Sequence, residues 1–164
     1  MMNLTPSRKG AVAEAEIAAA AIRLGLVVLR PLCEGGRYDL AIDTGEHLLR
    51  VQSKWASRDG NVLTARCVTS RHTPRGYLRS TYSVAEIDAI AAYSPHTDRC
   101  YLIPIEEVAG RCTISLRVGP TGNNQALHVR WARDYEFAAS LQRNWDLRGG
   151  DPALHEGPAP RAIG

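Results

Sequence analysis

The chain has 164 residues, 45% of them hydrophobic and 23% charged, with a formal net charge of +3 at pH 7. That length suits one compact domain and leaves little room for two cores, and the balance is that of a folded globular protein. The longest apolar stretch, around residues 18–29, is interrupted by Arg23, so no membrane span is expected, and residues 1–10 lack the apolar run of a secretory leader, which points to the cytoplasm.

Thr5-Pro6 predicts an N-cap followed by proline at the first helical position. The alanine-rich run to Leu24 continues that helix and Gly25 stops it, with Val12, Ile17, Ala21 and Leu24 on one apolar face. Residues 26–29 read as a short strand and 31–37 as a loop. Residues 38–43 and 48–55 read as two strands of a hairpin turned at residues 43–46, with 62–69 as a third partner. Residues 71–79 are expected to be a basic loop containing Pro74 and Gly76, and 84–93 an amphipathic helix ended near Ser94-Pro95. Strands are expected at 100–103 and 113–118, and a last helix at 133–141. A tail from Gly149 onward is dense in Gly and Pro and is expected to be disordered, so the domain occupies 1–148. The order α-β-β-β-β-α-β implies a mixed α/β domain with a largely antiparallel sheet around the hairpin.

The four cysteines, Cys33, Cys67, Cys100 and Cys112, include no C-x-x-C pair, which argues against zinc and for buried reduced thiols. Among the 20 basic residues only Lys9 and Lys54 are lysines, so a lysine inside a strand is informative. Side chains alternate faces along a strand. Burying Leu40, Ile42, Leu49 and Val51 together therefore puts Asp39, Gln52 and Lys54 on one shared face. A four-residue turn would set Asp39 directly opposite Gln52, and a two-residue turn would make them diagonal neighbours. A carboxylate and an amide oxygen are hard ligands of the kind Mg²⁺ takes, and an adjacent ammonium orients water and offsets charge on a phosphate. The same face also fits a solvated Asp–Lys ion pair on an ordinary hairpin.

Tyr38-Asp39 followed by Gln52-Ser53-Lys54 resembles the signature of the PD-(D/E)XK nuclease superfamily, with glutamine in place of the usual acid. Lys9-Gly10-x-x-x-Glu14, Arg37-Tyr38-Asp39-Leu40, Arg50-Val51-Gln52-Ser53-Lys54, Ile87-Asp88-x-Ile90-Ala91-x-Tyr93 and Tyr101-Leu102-Ile103-Pro104 are similar to the branch containing group I intron-encoded homing endonucleases. The resemblance implies a restriction-endonuclease-like core and a metal-dependent DNA endonuclease. It also implies the roles: Asp39 as central metal ligand, Gln52 as second ligand, Glu14 contributing from the helix and Lys54 as catalytic lysine, with Mg²⁺ as cofactor and Mn²⁺ as a substitute. Glu16 competes with Glu14, but two positions along a helix are about 200° apart, and the family spacing selects Glu14. Asp88 and Tyr93 match the family's second helix and take a capping or core-orienting role.

Between Asp59 and Glu86 there is no acidic residue, yet Arg66, Arg71, Arg75 and Arg79 fall there with His72, Tyr77 and Tyr82. Arginines interleaved with aromatics suit contacts to double-stranded DNA. Trp131 is expected in the core and 123–125 in a turn. One active site cuts one strand, so double-strand cleavage calls for a homodimer or homotetramer. The rival readings are a Holliday-junction resolvase, a catalytically weakened DNA-binding protein on the same scaffold, and an RNA-directed nuclease.

Overall fold

The computed structural model describes residues 4–33, 35–74, 76–121 and 127–146. The expected disordered tail and residues 123–125 lie outside them. Helix α1 (Pro6–Arg23) begins where Thr5 Oγ1 accepts the Arg8 N–H. It ends in a Schellman arrangement: the Leu26 N–H bonds Ala21 O, the Gly25 N–H bonds Ile22 O, and Gly25 takes φ +79°. A side chain there would be strained, so the glycine sets where the helix stops.

Strands β1 (Val27–Leu29), β2 (Leu40–Asp43) and β3 (Leu48–Asp59) form an antiparallel run. The β2–β3 turn is closed by Asp43 Oδ1 accepting the Gly45 N–H and by the Thr44 N–H donating to His47 O. Asp43 therefore pairs with Leu48, and Leu40 with Val51. Strand β4 (Val62–Arg66) pairs with the far half of β3 and with β9 (Thr113–Arg117). Strands β5 (Thr69–Thr73) and β6 (Gly76–Ser80) pair only with each other, as a separate two-stranded arm. The basic segment expected as a loop is thus a hairpin: Pro74 and Gly76 mark its tip, and five-residue strands flank them.

Residues 84–93 are not a helix. One turn is closed by the Glu86 and Ile87 N–H groups on Ser83 O, and the chain then enters β7 (Ala89–Ser94), which runs parallel to β3. Every residue of β7 is buried. Ala89, Ala91 and Tyr93 pack toward α1, while Ile90 and Ala92 pack into the cluster on the other face. A strand covered on both faces loses its two-residue alternation, and a short apolar run then mimics a helix. Strand β8 (Arg99–Pro104) pairs antiparallel with β7. The last helix also starts later than expected. Residues Ala132–Tyr135 form a 3-10 turn, and α2 covers Phe137–Trp145, with Ser140 Oγ donating to Leu102 O. Trp131 is half-exposed beside Arg133, and so lies outside the core. All four cysteines are free, but Cys33 and Cys112 are exposed, which corrects the expectation of buried thiols. Among the described residues no helix is long and apolar enough to cross a membrane.

The sheet therefore carries two apolar layers. Leu40, Ile42, Leu49 and Val51 face α1, and Ala56 at the far end of β3 joins Leu63, Ile90, Ile103, Ile114 and Leu116 in the second layer. Asp88, at the entry to β7, accepts the Arg50 backbone N–H at 2.7 Å, Nε at 3.0 Å and Nη2 at 2.9 Å. Burial alone would raise its titration, but these bonds outweigh it and hold the carboxyl below its ordinary range. Asp88→Ala is expected to cost about 1–2 kcal/mol of stability, held at the low end by solvent screening. Because the folded titration is depressed, this stabilisation is present above the ordinary carboxylate range and is lost as pH falls through the depressed value. Thermal melts of the variant and the unchanged protein should converge in acid, and a constant gap across pH would contradict the assignment.

Candidate active site

Continuing the β2–β3 register one step past Leu40–Val51 brings Asp39 opposite Gln52, and the Asp39 N–H donates to Val51 O. The four-residue turn thus selects the direct pairing. Asp39 Oδ2 accepts both the Gln52 side-chain amide and the Ser53 backbone N–H, the latter at 2.9 Å. Among the described residues Oδ1 carries no bond, so one carboxylate oxygen stays open. Gln52 is 8% exposed, which makes this a site sunk into the second apolar layer rather than a solvated strip. Lys54 lies two residues along the same face, half-buried, with Nζ 3.0 Å from the Tyr82 hydroxyl.

Electrostatics binds the pair. Burial pushes the Asp39 carboxyl above its usual range, while the Ser53 N–H and the Lys54 and Arg30 charges pull it back. Burial lowers Lys54, and Asp39 pulls it back up. Each group meets the other's charge in a place where water compensates poorly. Opposed shifts of a neighbouring acid and base, each caused by burial, are of the kind that concentrates where chemistry is done.

Glu14 sits on the face of α1 that looks over a small cleft, of about 160 Å³, lined also by Ala11, Ala18, Arg30 and Leu40. It is ion-paired to Arg30, the same residue whose charge is felt by Asp39. Glu16 lies elsewhere, lining a groove with Tyr93 and Cys100. Of the two acids, Glu14 shares its cleft with Leu40, the neighbour of Asp39 in sequence, and its partner Arg30 is close enough for its charge to act on the Asp39 carboxyl. Sequence reasoning missed that arginine, which lies in the turn after β1 with no motif around it.

The basic segment divides. Arg66 ends β4 and Arg79 lies on β6, both exposed, and together they line a cleft with Thr81 and Thr113 at the root of the arm. Arg71 and His72 lie on β5, with side chains outside the description, and Arg75 is outside the described residues. Tyr82, grouped in sequence with His72 and Tyr77, is 2% exposed and belongs to the second apolar layer. Burial, with Asp39 nearby, raises its phenol far above the ordinary value, so it stays neutral. Arg37 was also missed as a structural residue. It bonds Thr69 Oγ1 and Ser80 Oγ on the two arm strands, Thr81 O, and Glu86, and its guanidinium lies 4.8 Å from the Tyr82 ring centroid. Asp88 and Tyr93 are engaged elsewhere: the first holds Arg50, and the second donates to Asp98 at 3.1 Å.

Chemically, the site combines an open, poorly solvated carboxylate oxygen, an amide and an ammonium at the end of a hairpin, with arginines at the root of a neighbouring arm. A comparison with curated proteins finds no match. Among solved structures, a bacterial homing endonuclease, I-Ssp6803I, aligns with a TM-score of 0.67 and 24% identity, over 84% of this chain and 93% of that chain. At that identity the likeness speaks for the shared fold: a mixed sheet with an antiparallel hairpin flanked by helices. The sequence profile of the PD-(D/E)XK endonucleases matches residues 4–138, most of the chain. With the fold, the hairpin site and that match in agreement, the chain belongs to the PD-(D/E)XK endonuclease family and is a DNA endonuclease.

Proposed function

We propose that this endonuclease is metal-dependent and site-specific, cutting double-stranded DNA in the manner of a homing enzyme with Mg²⁺ as its ion. PD-(D/E)XK nucleases generally use divalent metal ions. The observation that carries the reading is the open Oδ1 of the partly buried Asp39 carboxylate, on the same hairpin face as Lys54. Among the described residues no three acids, histidines or cysteines are grouped to hold a metal. The donors at the hairpin are therefore one carboxylate and one amide oxygen, which suit a hard ion that keeps waters and phosphate oxygens as its remaining ligands. Gln52 contributes a dipole in place of a charge, so the ion is held loosely without DNA.

When bound, the ion polarises the scissile phosphate and lowers the pKa of water. The chain's own groups do the rest. Asp39 and Gln52 hold their oxygens in place through the strand register. Lys54 orients the attacking water and offsets negative charge as it builds on the phosphate. Glu14 joins when Arg30 exchanges it for a DNA phosphate. Two copies, as a homodimer or homotetramer, supply a cut on each strand.

The test is cleavage of genomic DNA by the purified protein with Mg²⁺, with the ends mapped and four-way junctions offered beside linear duplex. Recurrent ends at one long sequence support the reading. Junction-selective cutting supports a resolvase instead, and binding without cleavage in Mg²⁺ or Mn²⁺ supports a weakened DNA-binding protein.

Arg66 and Arg79 are assigned to phosphate contacts. Arg66→Ala or Arg79→Ala should weaken DNA binding and lower the slope of log affinity against log salt by about 1 each, with the rate on saturating DNA unchanged. An unchanged slope, measured by fluorescence anisotropy at several salt concentrations, would remove the arm root from the interface.

A further inference from the structure

We infer that Tyr82 is the positioning residue for Lys54, setting its ammonium through the phenol oxygen. This rests on the catalytic role given to Lys54 above, and its geometry is independent of that role. A lysine on a strand has four rotatable bonds, and their rotamer freedom has to be lost before its ammonium is fixed. Among the described residues Lys54 Nζ has one hydrogen bond, donated to the Tyr82 oxygen at 3.0 Å. The ammonium is 5.1 Å from the ring centroid, beyond the hydroxyl rather than over the ring face. The contact is therefore a hydrogen bond, which leaves two N–H groups of the ammonium for water and phosphate.

Tyr82 is able to act as a fixed post because the fold immobilises it. Its ring is buried in the second apolar layer. Arg37 covers the ring, and Arg37 is itself held by Glu86 and Thr81 O. The tyrosine lies two residues past the end of β6, so the segment that carries the arm leads to the post. Nothing in the described structure gives Tyr82 a part in binding DNA. Among the described residues its hydroxyl has one hydrogen-bond partner, the lysine.

Tyr82→Phe removes the oxygen and keeps the ring. The chain has only two lysines, Lys9 and Lys54, so selective ¹³C labelling of the lysine ε-carbons yields two signals. In the unchanged protein Lys54 should show two separate Hε shifts, the mark of a fixed side chain, with Lys9 as reference. In Tyr82→Phe those shifts should converge, kcat should fall about 10-fold, and the affinity for DNA in Ca²⁺ should stay the same. A purely structural role would lower the melting temperature and leave both the Lys54 signals and kcat alone. Unaltered Lys54 signals in folded Tyr82→Phe overturn the assignment whatever the rate does, and converged signals with an unchanged kcat overturn it as well. Should that variant not fold, Lys54→Met reports from the other side: the ring Cζ shift of Tyr82 must move, and a static shift overturns the contact. Lys54→Ala cleaving like the unchanged protein would instead sink the catalytic reading of the lysine. The signal change in Tyr82→Phe would then stand as a structural contact only.

Discussion

Lys54→Ala should leave DNA binding nearly intact and cut at a rate lower by a factor on the order of 10²–10³, the usual loss when one preorganised donor is taken from a developing oxyanion. The asymmetry follows from where the lysine sits. It is half-buried on the hairpin face, bonded to Tyr82 and coupled to Asp39, while the exposed arginines assigned to the DNA backbone lie at the root of the arm. Binding energy comes from many exposed charges, whereas transition-state charge at the hairpin has one ammonium to meet it. Single-turnover cleavage and anisotropy on the same DNA separate the two. A variant that cuts as fast as the unchanged protein removes Lys54 from the chemistry.

Asp39→Asn should abolish detectable cleavage and at the same time make the metal-free protein more stable at neutral pH. Both bonds to the carboxylate fall on Oδ2, so an asparagine oxygen can keep the Gln52 amide and the Ser53 N–H. What is lost is the charge. Burial raises the Asp39 titration in the folded chain more than its partners lower it. Its contribution to stability is therefore present below the ordinary carboxylate range and is lost as pH rises through the raised value, so at neutral pH the ionised group works against folding. An active site that carries such a cost ordinarily gains stability when the group is neutralised. Melting in Mn²⁺ supplies the second half of the test. The unchanged protein should gain stability on adding the ion and Asp39→Asn should not. Equal shifts in both would move the ion elsewhere.

The two effects have one origin, the hairpin register. Asp39 opposes Gln52 because four residues turn the chain between Asp43 and Leu48, and Lys54 shares their face because strand side chains alternate. Local rules reach that far. They also reach α1, whose ends are set by Thr5-Pro6 and Gly25. They do not reach β7. There Ala89, Ile90, Ala91 and Ala92 are apolar on both faces, because one side meets α1 and the other meets β4 and β9. A pattern without alternation does not distinguish a doubly covered strand from a helix. The arm was hidden for a different reason. Strand β5 is polar throughout and β6 has only the adjacent pair Tyr77-Leu78, so no alternating apolar pattern marks pairing, and only Pro74 and Gly76 at the tip are legible signals.

What the amino-acid order determined by itself was the grouping at the hairpin: the carboxylate, amide and ammonium, their shared face, and the helix that carries Glu14. Those relations are carried by contacts close in sequence, where period and turn length decide geometry. What only the tertiary structure decided was the surroundings that give those groups their properties. Tyr82 arrives at Lys54 across 28 positions of chain, Arg37 joins the arm to Glu86, and Arg30 pairs with Glu14 while its charge lowers the Asp39 carboxyl. Burial, and with it the raised carboxyl and lowered ammonium, is a sum over packed layers from distant segments. No local pattern records that sum, because it is set by which surfaces meet when the sheet closes.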